Sequence, residues 1–232
     1  MTLLTLGDPI PDGFFDGSIK RILELQNDTG AIPWYDGDVV DPWNHTEAAM
    51  GLATLGHLEP ARKAYRFLQD SQLDDGSWFG ELGSAVPMDE QEQKFTGKEE
   101  DIEAPLRDTN FAAYIATGAW HYYLLTQDLG ELKNIWPHVK QAINWVVAHQ
   151  SAHGDIRWAA DEPRTPEDDA LITGSASIYK SLECAILIAH KLGEPAIDWV
   201  HARQKLGEAL RDKPHRFDRT WESKDRYSMD WY

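Results

Sequence analysis

Apolar positions recur every three to four residues over most of the chain, while runs that alternate apolar and polar residues are scarce. The periodicity predicts an all-α fold with helices at about 16–27, 44–56, 59–72, 109–127, 131–150, 175–192 and 196–212. Start and stop signals agree with those limits. Asn44 followed by Glu47 has the spacing of a capping box, Asp108 or Thr109 is placed to cap the fourth helix, and Ser175 or Ser177 the sixth. Gly56, Gly130 and Gly193 fall where helix pairs are expected to break.

Two kinds of helix alternate. Residues 111–125 and 178–189 are apolar nearly all round, which predicts burial on most sides; 136–147 and 197–210 carry one apolar stripe and a charged face. Buried helices wrapped by amphipathic ones predict an α/α toroid of helical hairpins, with residues 1–232 forming one domain. The 35-residue stretch 73–107 is too long for a plain connection, and its acidic runs fit either a lid over a pocket or a solvated surface loop.

A motif recurs at the helix ends. One copy runs from Lys63-Ala64 through Phe67, Leu68 and Gln72 to Gly76 and Trp78. A second has Ala142, Trp145, Val146, Gln150, Gly154, Ile156 and Trp158, and a weaker third has Ile22, Gln26, Gly30, Ile32 and Trp34. The Gln amide is expected to bond backbone groups orphaned at the helix end, Gly to permit the reversal, and the aromatic to pack back over both.

The first copy matches the QW motif of terpenoid cyclases and prenyltransferase-like proteins, and this resemblance extends over about 20–160. Residues 107–114, 174–179 and 226–232 resemble bacterial proteins labelled prenyltransferases. Asp108-Thr109-Asn110 with Trp120-His121-Tyr122-Tyr123, then Trp136-Pro137, Ala142 and Trp145, resembles six-hairpin glycosidases of the glucoamylase kind. These resemblances imply a toroid, a central cavity and an enzyme; no cofactor is expected. Seven predicted helices, with an eighth beginning at Arg226, fall short of a closed ring of six hairpins; a shortened or open toroid, completed by an oligomer, is one reading.

Composition narrows the partners. With 39 Asp and Glu against 22 Lys and Arg, the net charge of −17 argues against nucleic acid and anionic membranes. Ten Trp are more than a surface ordinarily carries, so many should line a core or a ligand cavity. Cys184, the one cysteine, sits in an apolar run and reads as core rather than nucleophile. No window is apolar enough to span a membrane, and residues 1–8 lack the pattern of a signal peptide, which makes a cytoplasmic protein the default expectation.

In a toroid the cavity is bounded by the starts of the inner helices, so chemistry is expected there. Asp41, Glu47, Asp108 and Asp230 are the candidate catalytic carboxylates. Trp34, Trp43, His45, Asn110, Tyr114, Trp158, Ser177, Tyr179 and Arg226 are candidate substrate-binding residues. Each has a structural alternative: Asp41, Asn44, Asp108 and Ser175 as N-caps, Glu47 as a capping-box partner, and Trp34 and Trp158 as packing residues. His45 has no second ligand at i+4 and His121 sits mid-helix among aromatics, so neither reads as a metal ligand.

The isoprenoid resemblance makes a prenyltransferase- or cyclase-like enzyme the leading expectation, because ring faces stabilise carbocations. Asp74-Asp75 and Asp168-Asp169 are only pairs, however, so neither the D-x-D-D nor the D-D-x-x-D motif of those enzymes occurs. A carbohydrate-active enzyme with paired carboxylates is the alternative, and a non-catalytic binding toroid is the third reading.

Overall fold

The computed structural model describes residues 10–80, 82, 107–160 and 169–219. Asp230 and Arg226, most of the proposed 73–107 lid and the eighth helix lie outside the described residues. Seven α-helices fall within them, each close to its predicted limits: α1 (Asp16–Leu25), α2 (Pro42–Thr54), α3 (Leu58–Ser71), α4 (Thr109–Thr126), α5 (Leu129–Ala148), α6 (Ile172–Leu192) and α7 (Ile197–Asp212). None is long and apolar enough to cross a membrane.

Helices α2, α4 and α6 pack side by side as the inner layer, and each folds back on an outer helix: α2 on α3, α4 on α5, α6 on α7. Small residues make the inner contacts close. Ala112, Ala113, Ala116 and Ala119 of α4 are buried, and a Cβ added at Gly118 would run into Thr46 and Tyr65. Burial at about 25 cal/mol per Å² of apolar surface drives this packing. The result is the α/α-toroid arrangement of hairpins.

The outer helices are joined by one device used three times. Gln26 Nε2 donates to Gly30 O (3.1 Å) and to Pro60 O of α3 (2.9 Å). Gln72 Nε2 donates to Gly76 O (2.9 Å) and to His138 O of α5 (3.0 Å). Gln150 Nε2 donates to Gly154 O (2.9 Å) and to Ala202 O of α7 (2.9 Å). Each amide thus closes its own turn and grips the next outer helix. The glycines need a positive φ (98°, 96° and 100°), and each lies on a backbone carbonyl three residues beyond the one the glutamine holds: Lys63, Gln141 and Lys205. The aromatic departs from expectation. Only Trp78 packs back over its turn, buried and donating Nε1–H to Leu68 O (2.9 Å). Ile32 and Ile156 occupy the corresponding place, and Trp34 and Trp158 fall two residues later, outside the staple.

Three cap assignments also change. Asp41, not Asn44, caps α2, with Pro42 at the first helical position. Gly130 lies within α5, and the break falls at Gln127 in the left-handed region, followed by the Asp128 cap. Helix α6 starts at Ile172, so Ser175 and Ser177 are inside it rather than capping it. Strand content among the described residues is one two-residue pair, Arg107–Asp108 against Ala159–Ala160, antiparallel with Asp108 opposite Ala159.

The close approach at Gly76 has a measurable consequence. A Cβ there would sit 2.6 Å from the Gln141 backbone, whereas one at Gly56, also at positive φ, would meet nothing. Gly56→Ala should cost about 1 kcal/mol of left-handed strain, and Gly76→Ala at least about 3 kcal/mol because overlap is added to strain. Urea unfolding of the two variants measures both; equal losses would remove the close-approach explanation.

Candidate active site

The starts of the three inner helices converge on a cavity of about 360 Å³. Trp43 and Asn44 of α2, Asp108 to Phe111 at the head of α4, Trp158, and residues 173–175, 177 and 178 of α6 all line it. The short strand pair brings Trp158 to Asp108: Thr109 N donates to Trp158 O (3.0 Å), and the Thr109 hydroxyl donates to Arg157 O (2.6 Å). Trp158 N donates in turn to Asp169 O, which ties in the segment leading to α6.

Asp41 and Asp108 occupy equivalent positions and do different things. Each caps an inner helix through one oxygen. Asp41 Oδ1 accepts from Trp43 N (2.9 Å) and Asn44 N (2.8 Å); Asp108 Oδ1 accepts from Asn110 N (2.7 Å) and Phe111 N (3.1 Å). The second oxygens differ. Asp41 Oδ2 accepts from Asn44 Nδ2 (2.7 Å) and from the Trp34 indole N–H, which saturates the carboxylate. Asp108 Oδ2 accepts nothing from the described residues and is left for the cavity. Burial pushes the Asp108 carboxyl up to about 7, its two backbone hydrogen bonds pull it down, and the charge of Asp41 pushes it further up. A carboxyl so placed holds a proton near neutrality and has an oxygen free to deliver it.

Behind the cavity wall, Trp43 stacks on Tyr114 (centroids 5.0 Å apart), and Tyr114 Oη donates to Glu47 Oε1 (3.0 Å). Burial, followed by the Glu47 charge, raises the Tyr114 phenol above its ordinary value, so it stays a donor. Glu47 is exposed and tied to Tyr114 rather than to the helix start. The capping-box role is therefore not realised.

Three of the predicted binding residues are elsewhere. His45 is fully buried under the first staple, with Nδ1 accepting from Ile32 N (3.2 Å) and Nε2 against Ala64 O (2.9 Å). Desolvation lowers its pKa, as suits a neutral ring shared between two backbone groups. Tyr179 faces α7, with Arg203 4.0 Å above its ring. Trp34 is 44% exposed on a shallow groove beside Asn44 and Ala48, its indole spent on Asp41. Trp43, Asn110, Trp158 and Ser177 do line the cavity, with Tyr114 stacked behind Trp43. Sequence reasoning missed Phe111, Leu171, Thr173 and Gly174, whose only signal was their nearness to the predicted helix starts. Among the described residues, no group of three or more His, Cys, Asp or Glu could hold a metal ion.

The chain is similar to known proteins at two levels. At the level of fold, the chain aligns with three solved structures. An unsaturated glucuronyl hydrolase specific for heparin gives a TM-score of 0.59 at 13% identity, over 86% of this chain and 54% of that one. A rhamnosidase from Klebsiella oxytoca with rhamnose bound gives 0.54 at 12%, over 84% and 38%. A D-mannose isomerase gives 0.54 at 10%, over 88% and 52%. At these identities they show the α/α-toroid fold and no more. At the level of sequence, the chain is 39% identical over 213 residues to the MMP endo-(1,4)-3-O-methyl-alpha-D-mannosidase of Mycolicibacterium hassiacum. The alignment takes in 92% of this chain and 54% of that protein, so the chain spans about half the length of this relative. No family model matches.

The raised carboxyl of Asp108 sets the sign of a stability effect. Between the ordinary 3.8 and about 7, the folded chain holds a proton that the unfolded chain has lost, so stability falls as pH rises through that window. Asp108→Asn keeps a good cap and removes the titration. Its melting temperature relative to the parent should therefore be higher at pH 8 than at pH 4.5. A difference that stays constant with pH would mean that Asp108 ionises as it does in water.

Proposed function

We propose that this chain carries the acid half of a glycoside hydrolase site acting on an α-mannoside, with Asp108 protonating the departing glycosidic oxygen. One observation carries the reading: a buried carboxyl, protonated near pH 7 and with one oxygen unengaged, faces a cavity walled by Trp43, Phe111 and Trp158. Rings in that number suit the apolar faces of a pyranose. The endo-mannosidase relative supports mannoside as the substrate class.

The roles divide among the carboxylates by how engaged they are. Asp41, with both oxygens occupied, is a positioning residue: it holds Trp43 and Asn44 at the cavity, and its charge adds a smaller push to the burial that keeps Asp108 protonated. Hydrolysis also needs a carboxylate that activates water or attacks the sugar, and the separation of the pair decides inversion or retention. Glu47, exposed and oriented by Tyr114, which stacks on the cavity residue Trp43, is our assignment for this partner among the described residues. Asp230 remains a proposed second contributor outside them, as does Arg226 for binding.

An isoprenoid substrate would also find aromatic walls here. Against it stand Asn110 Oδ1, Ser175 Oγ and Ser177 Oγ, buried oxygens without a partner among the described residues that a hydrocarbon chain would leave unsatisfied. The endo-mannosidase relative supports the carbohydrate reading in preference to it.

Asp108→Asn should lower kcat on a 3-O-methylated α-1,4-mannan by roughly 10²–10⁴-fold while leaving substrate binding within a few fold. The parent rate should fall as pH rises past about 7, where the acid loses its proton. Reducing-end release across pH measures both, and undiminished turnover by the variant would rule out Asp108 as the acid.

A further inference from the structure

The wall of the cavity formed by α6 has unmet hydrogen-bonding capacity. Ser175 is 1% exposed, lines the cavity, and its Oγ meets no partner. A serine inside a helix ordinarily bonds the carbonyl four residues back, as Thr46 and Thr54 do here, yet Leu171 O takes only the Ser175 backbone N–H (2.9 Å). Ser177 Oγ and Asn110 Oδ1 are likewise buried, unpartnered and on the same cavity.

The backbone adds donors. Leu171, at the N-cap position, offers no side-chain acceptor. Asp218 Oδ1 reaches in from far along the chain to Ile172 N (3.4 Å). The next two amides, of Thr173 and Gly174, meet no acceptor among the described residues, and both residues line the cavity. Donors and acceptors are therefore presented together. None of the described residues lining the cavity is Lys, Arg or His, so among them no side-chain cation is there to hold a carboxylate or phosphate. A group that both donates and accepts is called for, and a sugar hydroxyl does both, whereas an ether oxygen only accepts.

We infer that the first turns of α6, with Asn110, form a hydroxyl-reading subsite that binds one free hydroxyl of the sugar presented to Asp108 and rejects the methyl ether at that position. This rests on the glycoside reading. Water fills the wall when the sugar is absent, and the hydroxyl replaces it. A methyl ether would take the space but leave Ser175, Ser177 and Asn110 without a donor, and sites built around a hydroxyl discriminate strongly against analogues that lack it.

Gly174 offers a variant that keeps the fold, because an added Cβ would meet Asn110 and Leu171 only at 3.6 Å, in ordinary contact. Binding of methyl α-D-mannoside and of each of its mono-O-methyl ethers should be measured by ligand-observed NMR on the parent, Gly174→Ala, Ser175→Ala and Ser177→Ala. One ether should bind about tenfold more weakly than the parent sugar, the loss expected for a hydrogen-bonded group left unpaired. Ser175→Ala and Ser177→Ala should narrow that gap, and Gly174→Ala should weaken the unmodified sugar at an unchanged melting temperature. Equal binding of all the ethers, or variants that bind like the parent, would overturn the subsite while leaving the glycoside reading intact. If none of the mannosides binds, the glycoside reading falls and the subsite with it.

Discussion

A single side-chain amide, placed so that it reaches two backbone carbonyls at once, organises this chain. Gln26, Gln72 and Gln150 each close a glycine turn and hold the next outer helix by a bond of 2.9 or 3.0 Å. Both acceptors sit where helix geometry or a turn leaves a carbonyl with capacity to spare, so the amide satisfies groups that would otherwise be costly to bury. The inner helices fold back on the outer ones held in this way, and the three inner N-termini meet at one cavity.

Where an inner helix is capped at the cavity, as α2 and α4 are, the cap residue is itself a candidate for chemistry. Asp41 and Asp108 show how little separates the two outcomes. Both give one oxygen to the helix; what differs is whether the neighbourhood supplies donors for the other. Trp34 and Asn44 do so for Asp41, and nothing described does so for Asp108. Burial then acts on an incompletely paired carboxyl and holds its proton to about neutral pH.

Much of the fold was legible in the sequence because long amphipathic runs and a threefold repeat are strong, redundant signals. The glutamine, glycine and turn of each staple were read from spacing alone. The errors lie where several residues compete for one local role or where the partner is distant. Asp41 and Asn44 are both good caps, and Pro42 was the clue that separated them. The start of α6 carries no polar cap of its own and is met by Asp218, 46 residues away, which no local pattern encodes. His45 looked like a cavity residue because its neighbours are, but the helical turn of 100° per residue carries it to the opposite side, beneath Ile32 and Ala64. Of the candidate site, Asp108, Trp43, Asn110 and Ser177, named for their nearness to helix starts, line the cavity, as does Trp158, named as closing a repeat. The polar character of the α6 wall was not legible, since an unpartnered oxygen is visible only in three dimensions.

The equivalence of Asp41 and Asp108 has an evolutionary corollary. A scaffold built by repetition holds duplicate carboxyls at successive helix heads, and only the local supply of donors keeps one of them inert. Loss of the Trp34 indole and the Asn44 amide would leave Asp41 with the same half-paired oxygen that Asp108 has now. On the reading that Asp108 is the acid, the fold holds a second carboxyl in reserve at the preceding inner helix head, so that the role can pass from one hairpin to the next without rebuilding the backbone.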